Sequence, residues 1–418
     1  MSDNWEVYTL REISRGKGQY GIAAPGIPYD PNLTRYLRIT DITDDGFLIK
    51  DNKVSVDVNS EQYEKYILKK NDIVFARTGA SAGRSYVYEE EAEPLIVAGF
   101  LIRYALNPEI VNPRFMRYYT ISSNYKGWVA GVATGSTRPN INEKMLSSME
   151  VKLPPLSEQN RIVQILDSLE HKLKNNNAII ANLEEQAQAI FKSWFVDFEP
   201  FQDGEFIESE LGRIPNNWTV VTLKEISEEI VTGKTPPTKD PENYGNKMPF
   251  VTIPDMHNNV YAIETERLLS DKGIDTQSNK VVPKNSISVS CIATVGLVTL
   301  IASDSMTNQQ INTVITKENI SSYYVYNHLK TQSDYLNAIG SSGSTTKNVN
   351  KTTFSNLKML LPSESILKKY HRLCEPIFEY ILLIQKQNKK LVETRDTLLP
   401  KLMSGEIRVE EAIEVEEV

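Results

Sequence analysis

Cysteine is nearly absent, with two in 418 residues, Cys291 and Cys374. There is no CxxC pair. The four histidines, His171, His257, His328 and His371, fall at unrelated positions. That pattern excludes a disulfide framework and offers no zinc site. Two buried thiols acting as small hydrophobes are expected. No apolar run approaches the ~18–20 residues of a membrane span, and MSDNWEVYTL has no signal-peptide apolar core, so a cytoplasmic protein is expected.

Catalytic motifs are missing too. Val231-Thr232-Gly233-Lys234-Thr235 has the tail of a phosphate-binding loop without its first glycine. No Asn-Pro-Pro-aromatic or Asp-Pro-Pro-aromatic tetrapeptide occurs, as amino-group methylation would need. Pro254-Asp255 resembles the start of a nuclease carboxylate motif, but MHNNVYAIETER follows without an acid-x-Lys partner, so Asp255 reads as a turn residue. No Ser-His-Asp or Cys-His set follows from the spacing. The expectation is a non-enzymatic recognition or scaffold subunit with no metal and no cofactor of its own.

What is present is ordinary in bulk: 40% hydrophobic and 24% charged residues, as in soluble globular proteins. The net charge is −8, which counts against a protein that merely coats nucleic acid. The excess acid lies late, most visibly in RVEEAIEVEEV. Residues 1–156 balance 19 Lys and Arg against 19 Asp and Glu. Affinity depends on the facing surface, so an acidic total leaves binding open.

The chain says most things twice. NWEVYTLREIS (Asn4 to Ser14) returns as NWTVVTLKEIS (Asn217 to Ser227), with eight of eleven positions the same. KNDIVFARTGASAG (Lys70 to Gly83) returns as KNSISVSCIATVG (Lys284 to Gly296), one residue shorter. GSTRPNIN (Gly135 to Asn142) returns as GSTTKNVN (Gly343 to Asn350). Each copy then reaches a Leu-Pro pair, Leu153-Pro154 or Leu361-Pro362, and a long helical pattern. A repeat this long is a duplicated domain, since solenoid periods are about 20–50 residues. Within the first copy, Asp72 to Ala76, Ser85 to Tyr88 and Leu95 to Tyr104 read as strands, and Pro113 to Ser122 as a short helix with proline in its first turn.

The helices carry heptad seams. Leu166, Leu169, Leu173, Asn176, Ile180, Leu183, Ala187, Ile190 and Trp194 alternate spacings of three and four. Leu367, Tyr370, Cys374, Ile377, Ile381, Ile384, Asn388, Leu391, Arg395, Leu398 and Leu402 do the same. Each seam holds one asparagine, either a register-fixing buried amide or a surface residue in an imperfect seam. The simplest partner for each helix is the other, antiparallel, which relates the copies by a pseudo-two-fold axis. About 35 helical residues span roughly 50 Å, the length of ~15 base pairs. A bar of that length carrying two similar heads is a ruler.

Four segments then match a family: LPPLSEQNRIVQILDSLEHKL (Leu153 to Leu173), AIFKSWFVDFEPF (Ala189 to Phe201), LGRIPNNW (Leu211 to Trp218) and LLPKLMSGEIRV (Leu398 to Val409). Over essentially its whole length the chain resembles specificity (S) subunits of type I restriction-modification systems, which act in phage defence. The resemblance implies an α+β fold of two tandem mixed α/β target-recognition domains and two long helices paired as an antiparallel coiled coil. The expected domains are 1–156 and 203–363, the helical segments 157–202 and 364–408, and an acidic tail 409–418. It implies that each domain reads one half of a bipartite, gapped site in double-stranded DNA. It further implies docking of two methyltransferase subunits, which hold S-adenosylmethionine, and a restriction subunit using ATP and magnesium. An enzyme with a hidden site, or a coiled-coil scaffold with no DNA role, are the alternatives. Methylation by the chain alone, or a missing DNA footprint with partners present, marks them.

Base reading needs paired donors and acceptors, Arg or Lys for guanine and Asn or Gln for adenine. On that ground the candidates are Arg15, Lys17 and Gln19 in SRGKGQYG, matched by Lys234, Thr235 and Lys239 in VTGKTPPTKD. Arg77 and Arg84 flank the small residues of ARTGASAGRS. Gln309, Gln310 and Asn312 are the most adenine-like readers of the second copy. Arg138 and Asn140, and Lys347 and Asn348, lie in the GST loops, where Asn142 and Asn350 have helix capping as an alternative duty. Trp194 and Phe195 either pack on the adjoining module or anchor a partner.

Overall fold

The repeated TLxE sequence closes a capping turn, which in the second copy starts a short helix. Thr222 donates its N–H (2.6 Å) and its hydroxyl (2.7 Å) to Glu225 Oε2, closing a capping box on Leu223–Ile226. Thr9 makes the same bonds to Glu12, at 2.7 and 2.9 Å. The strand before each box pairs antiparallel with the strand that ends the module, Glu6–Thr9 with Glu150–Leu153 and Thr219–Thr222 with Lys358–Leu361. The entry sequence is therefore repeated because it ties the start of each module to its exit, directly ahead of a long helix. Trp5 and Trp218, from the repeated Asn-Trp, are buried beside these ladders.

The computed structural model describes residues 5–57, 63–89, 94–132, 140–341 and 347–409. Residues Met1–Lys172 with Leu391–Val418 form one compact unit, and Leu173–Lys390 the other. In the first, a four-stranded sheet runs in the order Gln19–Tyr20, Leu101–Ala105, Asp72–Ala76, Ser85–Val87, next to a second sheet of Ile27–Pro28, Val54–Ser55, Arg35–Leu37 and Leu95–Val97. In the second, Ser227–Thr232, Ile311–Thr316, Ile287–Ser290 and Val298–Ile301 repeat the first sheet's order, with Tyr261–Ala262 added at the edge. The run Leu95 to Tyr104 is thus two strands rather than one. A turn at Ala98–Leu101 sends them into different sheets.

One helix in each unit joins module to rod. In the first, Pro113–Ile121 has Asn112 as its cap and proline at its start. It sends Arg117 to Glu170 in a two-pronged ion pair of 2.6 and 2.8 Å, and Arg114 and Tyr118 to Asp167 at 2.8 and 2.7 Å. In the second, Ser322–Thr331 sends Tyr326 and Lys330 to Glu184, both at 2.9 Å, and stacks Tyr323 on His371 and Phe378. The aromatic exit of the first long helix packs inward. Phe195 lies 4.6 Å from the Tyr324 ring centroid and 4.9 Å from that of Tyr370, and Trp194 and Phe195 both join this core.

The long helices are Leu156–Phe195 and Glu364–Ser404. They pair antiparallel within each unit. In the second unit Asn176 meets Asn388 while Phe195 meets Tyr370. In the first, Arg161 Nε donates to the Val409 carbonyl and Glu158 faces Arg408. Leu166, Ile381, Ile384 and Leu402 are buried, whereas Leu169, Leu173, Ile180, Leu183, Ile377, Leu391 and Leu398 are half-buried. A two-helix seam covers only one side of such residues. The seam asparagine is the buried kind. Asn176 is 1% exposed and its amide donates to Asn388 Oδ1 at 2.7 Å and Gln387 Oε1 at 2.9 Å. Asn388 in turn donates to Asn177 at 2.8 Å.

Among the described residues no helix is long and apolar enough to cross a membrane, and no group of three or more His, Cys, Asp or Glu is placed to hold a metal ion. Replacing Asn176 by alanine is expected to cost about 1–2 kcal/mol, because its partners reach water and recover part of the loss. Asn175→Ala, on the exposed face, stays within ~0.5 kcal/mol. Equal urea midpoints for the two variants would contradict the seam assignment.

Candidate nucleic-acid interface

The two modules share a backbone frame at one end of the main sheet. At its centre is the residue after the middle strand, Arg77 in the first module and Cys291 in the second. The Arg77 N–H donates to the Phe100 carbonyl (3.0 Å), and its own carbonyl accepts from Ile141 N–H (2.8 Å). The Cys291 N–H donates to the Gln310 carbonyl (2.7 Å), and its carbonyl accepts from Val349 N–H (2.8 Å). Gly21 N–H bonds the Leu101 carbonyl as Gly233 N–H bonds that of Ile311, at 3.1 and 3.2 Å. A Cβ on Gly21 would sit 2.2 Å from the Ala98 carbonyl oxygen, and one on Gly233 2.2 Å from that of Thr307. Only glycine permits that approach. The next residues bridge to the GST loops, Thr78 with Asn140 and Ile292 with Asn348. Gly79 and Ala293 then both take positive φ, 72° and 66°, which strains the alanine.

This frame brings three loops together in each module, and the side chains on it differ. In the first, the Arg77 guanidinium lies 5.0 Å from the centroid of the exposed Tyr20 ring and 3.4 Å from Asn140 Oδ1. Arg77 Nε is shut from solvent with no hydrogen-bond partner among the described residues. In the second, exposed Lys234, Gln309, Lys347 and Asn348 converge, with Thr235 bonded to Gln309 Oε1 and Lys347 Nζ to Asn337 at 3.0 Å.

Other candidates lie elsewhere or are spoken for. Arg15 is exposed, but its N–H bonds the Ala105 carbonyl, at the opposite end of the strand from Phe100. Lys17 precedes the short strand Gln19–Tyr20, whereas Lys234 follows the strand Ser227–Thr232, so the two lysines do not occupy matched positions. Gln19 takes a hydrogen bond from Arg103 across the strand pair. Arg84 turns to Asp44 at 2.7 Å and to the Ile42 carbonyl. Lys239 is exposed beyond the frame. Asn312 is 3% exposed, with its amide held between Thr232 Oγ1 at 2.6 Å and Cys291 Sγ at 3.2 Å, so it reaches no base. Asn142 and Asn350 cap short helices, accepting from Met145 and Thr353 N–H at 2.9 Å. Arg138 lies outside the described residues.

Burial governs the titratable groups. It pushes the thiols of Cys291 and Cys374 up to about 11, so both stay protonated and unreactive. It pushes Tyr104 up to about 12, keeping the phenol a donor to the Glu143 carbonyl beneath the frame. The sequence reading missed Tyr20 and Phe100. The Ala98-Gly99 pair inside an apolar run was the available signal of a turn there.

The family model for the type I restriction modification DNA specificity domain matches residues 2–185 and again residues 215–394. The type I restriction enzyme HindI specificity subunit of Haemophilus influenzae is 31% identical over 97% of this chain and all of its own length. The MjaIX specificity subunit of Methanocaldococcus jannaschii is 28% identical over 71% of this chain and 69% of its own. In fold, the S subunit of a type I system from M. genitalium superimposes with a TM-score of 0.60 over 99% of this chain and 98% of that one, at 15% identity. The chain is thus built as a tandem of DNA-specificity domains with long helices. It belongs to the type I restriction-modification specificity subunits, a non-catalytic family.

Because Asn312 is an internal strut, Asn312→Ala should lower folding stability by about 1–3 kcal/mol, while Gln309→Ala stays within ~0.5 kcal/mol. Urea denaturation separates them, and equal losses would contradict the assignment.

Proposed function

We propose that this subunit reads a bipartite, gapped site in double-stranded DNA, one half with residues 1–156 and the other with residues 203–363. The observation that carries the reading is the shared backbone frame, which keeps the same hydrogen bonds and a common asparagine, Asn140 or Asn348, in both modules but presents Tyr20, Arg77 and Phe100 in one and Lys234, Gln309, Gln310 and Lys347 in the other. A duplicated scaffold with different side chains at matched places is suited to reading two different sequences. The long helices, Leu156–Phe195 and Glu364–Ser404 within the segments 157–202 and 364–408, set the unread gap and dock two methyltransferase subunits, and a restriction subunit joins through these. S-adenosylmethionine binds in the methyltransferase, and ATP with magnesium in the restriction subunit. The chain works in the cytoplasm as the address reader of a phage-defence complex.

The test is co-expression with the neighbouring methyltransferase in a host without DNA methylation, followed by single-molecule mapping of methyladenine. A split motif with a fixed gap is expected. Exchange of residues 1–156 for those of another specificity subunit should change one half of the motif and leave the other. Change in both halves, or a contiguous motif, would overturn the proposal.

A further inference from the structure

Among the described residues, Phe100 joins no apolar core with its ring. It sits at the tip of the turn between Leu95–Val97 and Leu101–Ala105 and is 61% exposed. Its backbone, by contrast, is clamped. Leu101 N–H bonds the Ala98 carbonyl (2.9 Å), and Arg77 N–H bonds the Phe100 carbonyl (3.0 Å). A Cβ on the neighbouring Gly99 would sit 3.2 Å from the Ile22 carbonyl oxygen, so the entry loop packs against the turn from the other side. An aromatic ring is thus held out to solvent on a rigid support, next to the residue whose guanidinium lies over Tyr20.

The matched residue in the second module is fixed by the same bond. Cys291 N–H meets the Gln310 carbonyl where Arg77 N–H meets that of Phe100. One frame position therefore carries a carboxamide in one module, partly exposed with its Oε1 accepting from Asn308 at 3.0 Å, and a projecting phenyl ring in the other. A phenyl ring offers no hydrogen bond, and the apolar feature of the major groove is the C5 methyl of thymine.

We propose that Phe100 is a specificity-determining residue that packs on a thymine methyl group in the half-site read by the first module. The inference rests on the two-head reading above. It assigns to Phe100 a base contact that distinguishes thymine from cytosine without a hydrogen bond.

The test uses the full complex of this chain with its methyltransferase and duplexes carrying the mapped site. Each thymine of the first half-site is replaced in turn by deoxyuridine, which pairs identically and lacks the methyl. Wild type should methylate one of these duplexes about fourfold more slowly, the value of one buried methyl group. Phe100→Ala should no longer distinguish deoxyuridine from thymidine at that position, and should keep its discrimination in the second half-site. Because the ring is exposed, the variant should keep the wild-type melting temperature. Wild type indifferent to deoxyuridine throughout the first half-site, or Phe100→Ala retaining the discrimination, overturns the assignment while leaving the two-head reading intact. Failure of the wild-type complex to methylate any gapped site overturns the two-head reading itself.

Discussion

The amide pair between Asn176 and Asn388 is the constraint on which the arrangement depends. A two-helix seam of leucine and isoleucine buries nearly as much surface one heptad out of step, so apolar packing alone sets register poorly. A slip of one heptad toward Ile381 would set the Asn176 side chain, almost wholly buried, against an apolar residue and strand its donors, and a slip the other way would set it against Arg395. Both long helices supply one asparagine, and the structure joins them, with Gln387 and Asn177 taking the remaining bonds. Asparagine costs stability in a seam, and fixed register is what it provides in return.

Each module has its own seat on its own stretch of helix. The first module shares an apolar core with its stretch of helix, including Ile162, Leu166 and Leu402, and adds charge, with Arg117 and Glu170 joined at two points and Asp167 bonded to Arg114 and Tyr118. The second is held by aromatic packing around Phe191, Phe195, Tyr324 and Tyr370, with Glu184 bonded to Tyr326 and Lys330. Among the described residues, neither seat involves the loops of the shared frame. Side chains on the frame can thus change without disturbing the mounting, and Arg77 and Phe100 differ from their counterparts Cys291 and Gln310 while the backbone bonds beneath them do not.

Much of this was legible in the sequence. The duplication, the heptad seams, the middle strand Asp72–Ala76 and the helix at Pro113 all follow from local pattern, because capping, heptad burial and strand burial are local physics. The frame was less legible. Asn312 has the chemistry of an adenine reader, but its strand turns it inward, and a single asparagine in a strand gives no sign of which face it takes. Arg15 and Lys17 attracted notice for their charge, yet only the hydrogen bond to Ala105 places Arg15 at the far end of the sheet. Phe100 drew none, since an aromatic in an apolar run reads as core until the turn at Gly99 is seen.

The most direct test of the ruler is to insert four helical residues in both long helices, between residues 172 and 173 and between 390 and 391. Four residues add roughly 6 Å and about one full turn, so the helix faces stay nearly in phase. Methyladenine mapping of the variant complex should show both half-motifs unchanged and the unread gap longer by about two base pairs, at ~3.4 Å each. Methylation at the original gap would contradict the account.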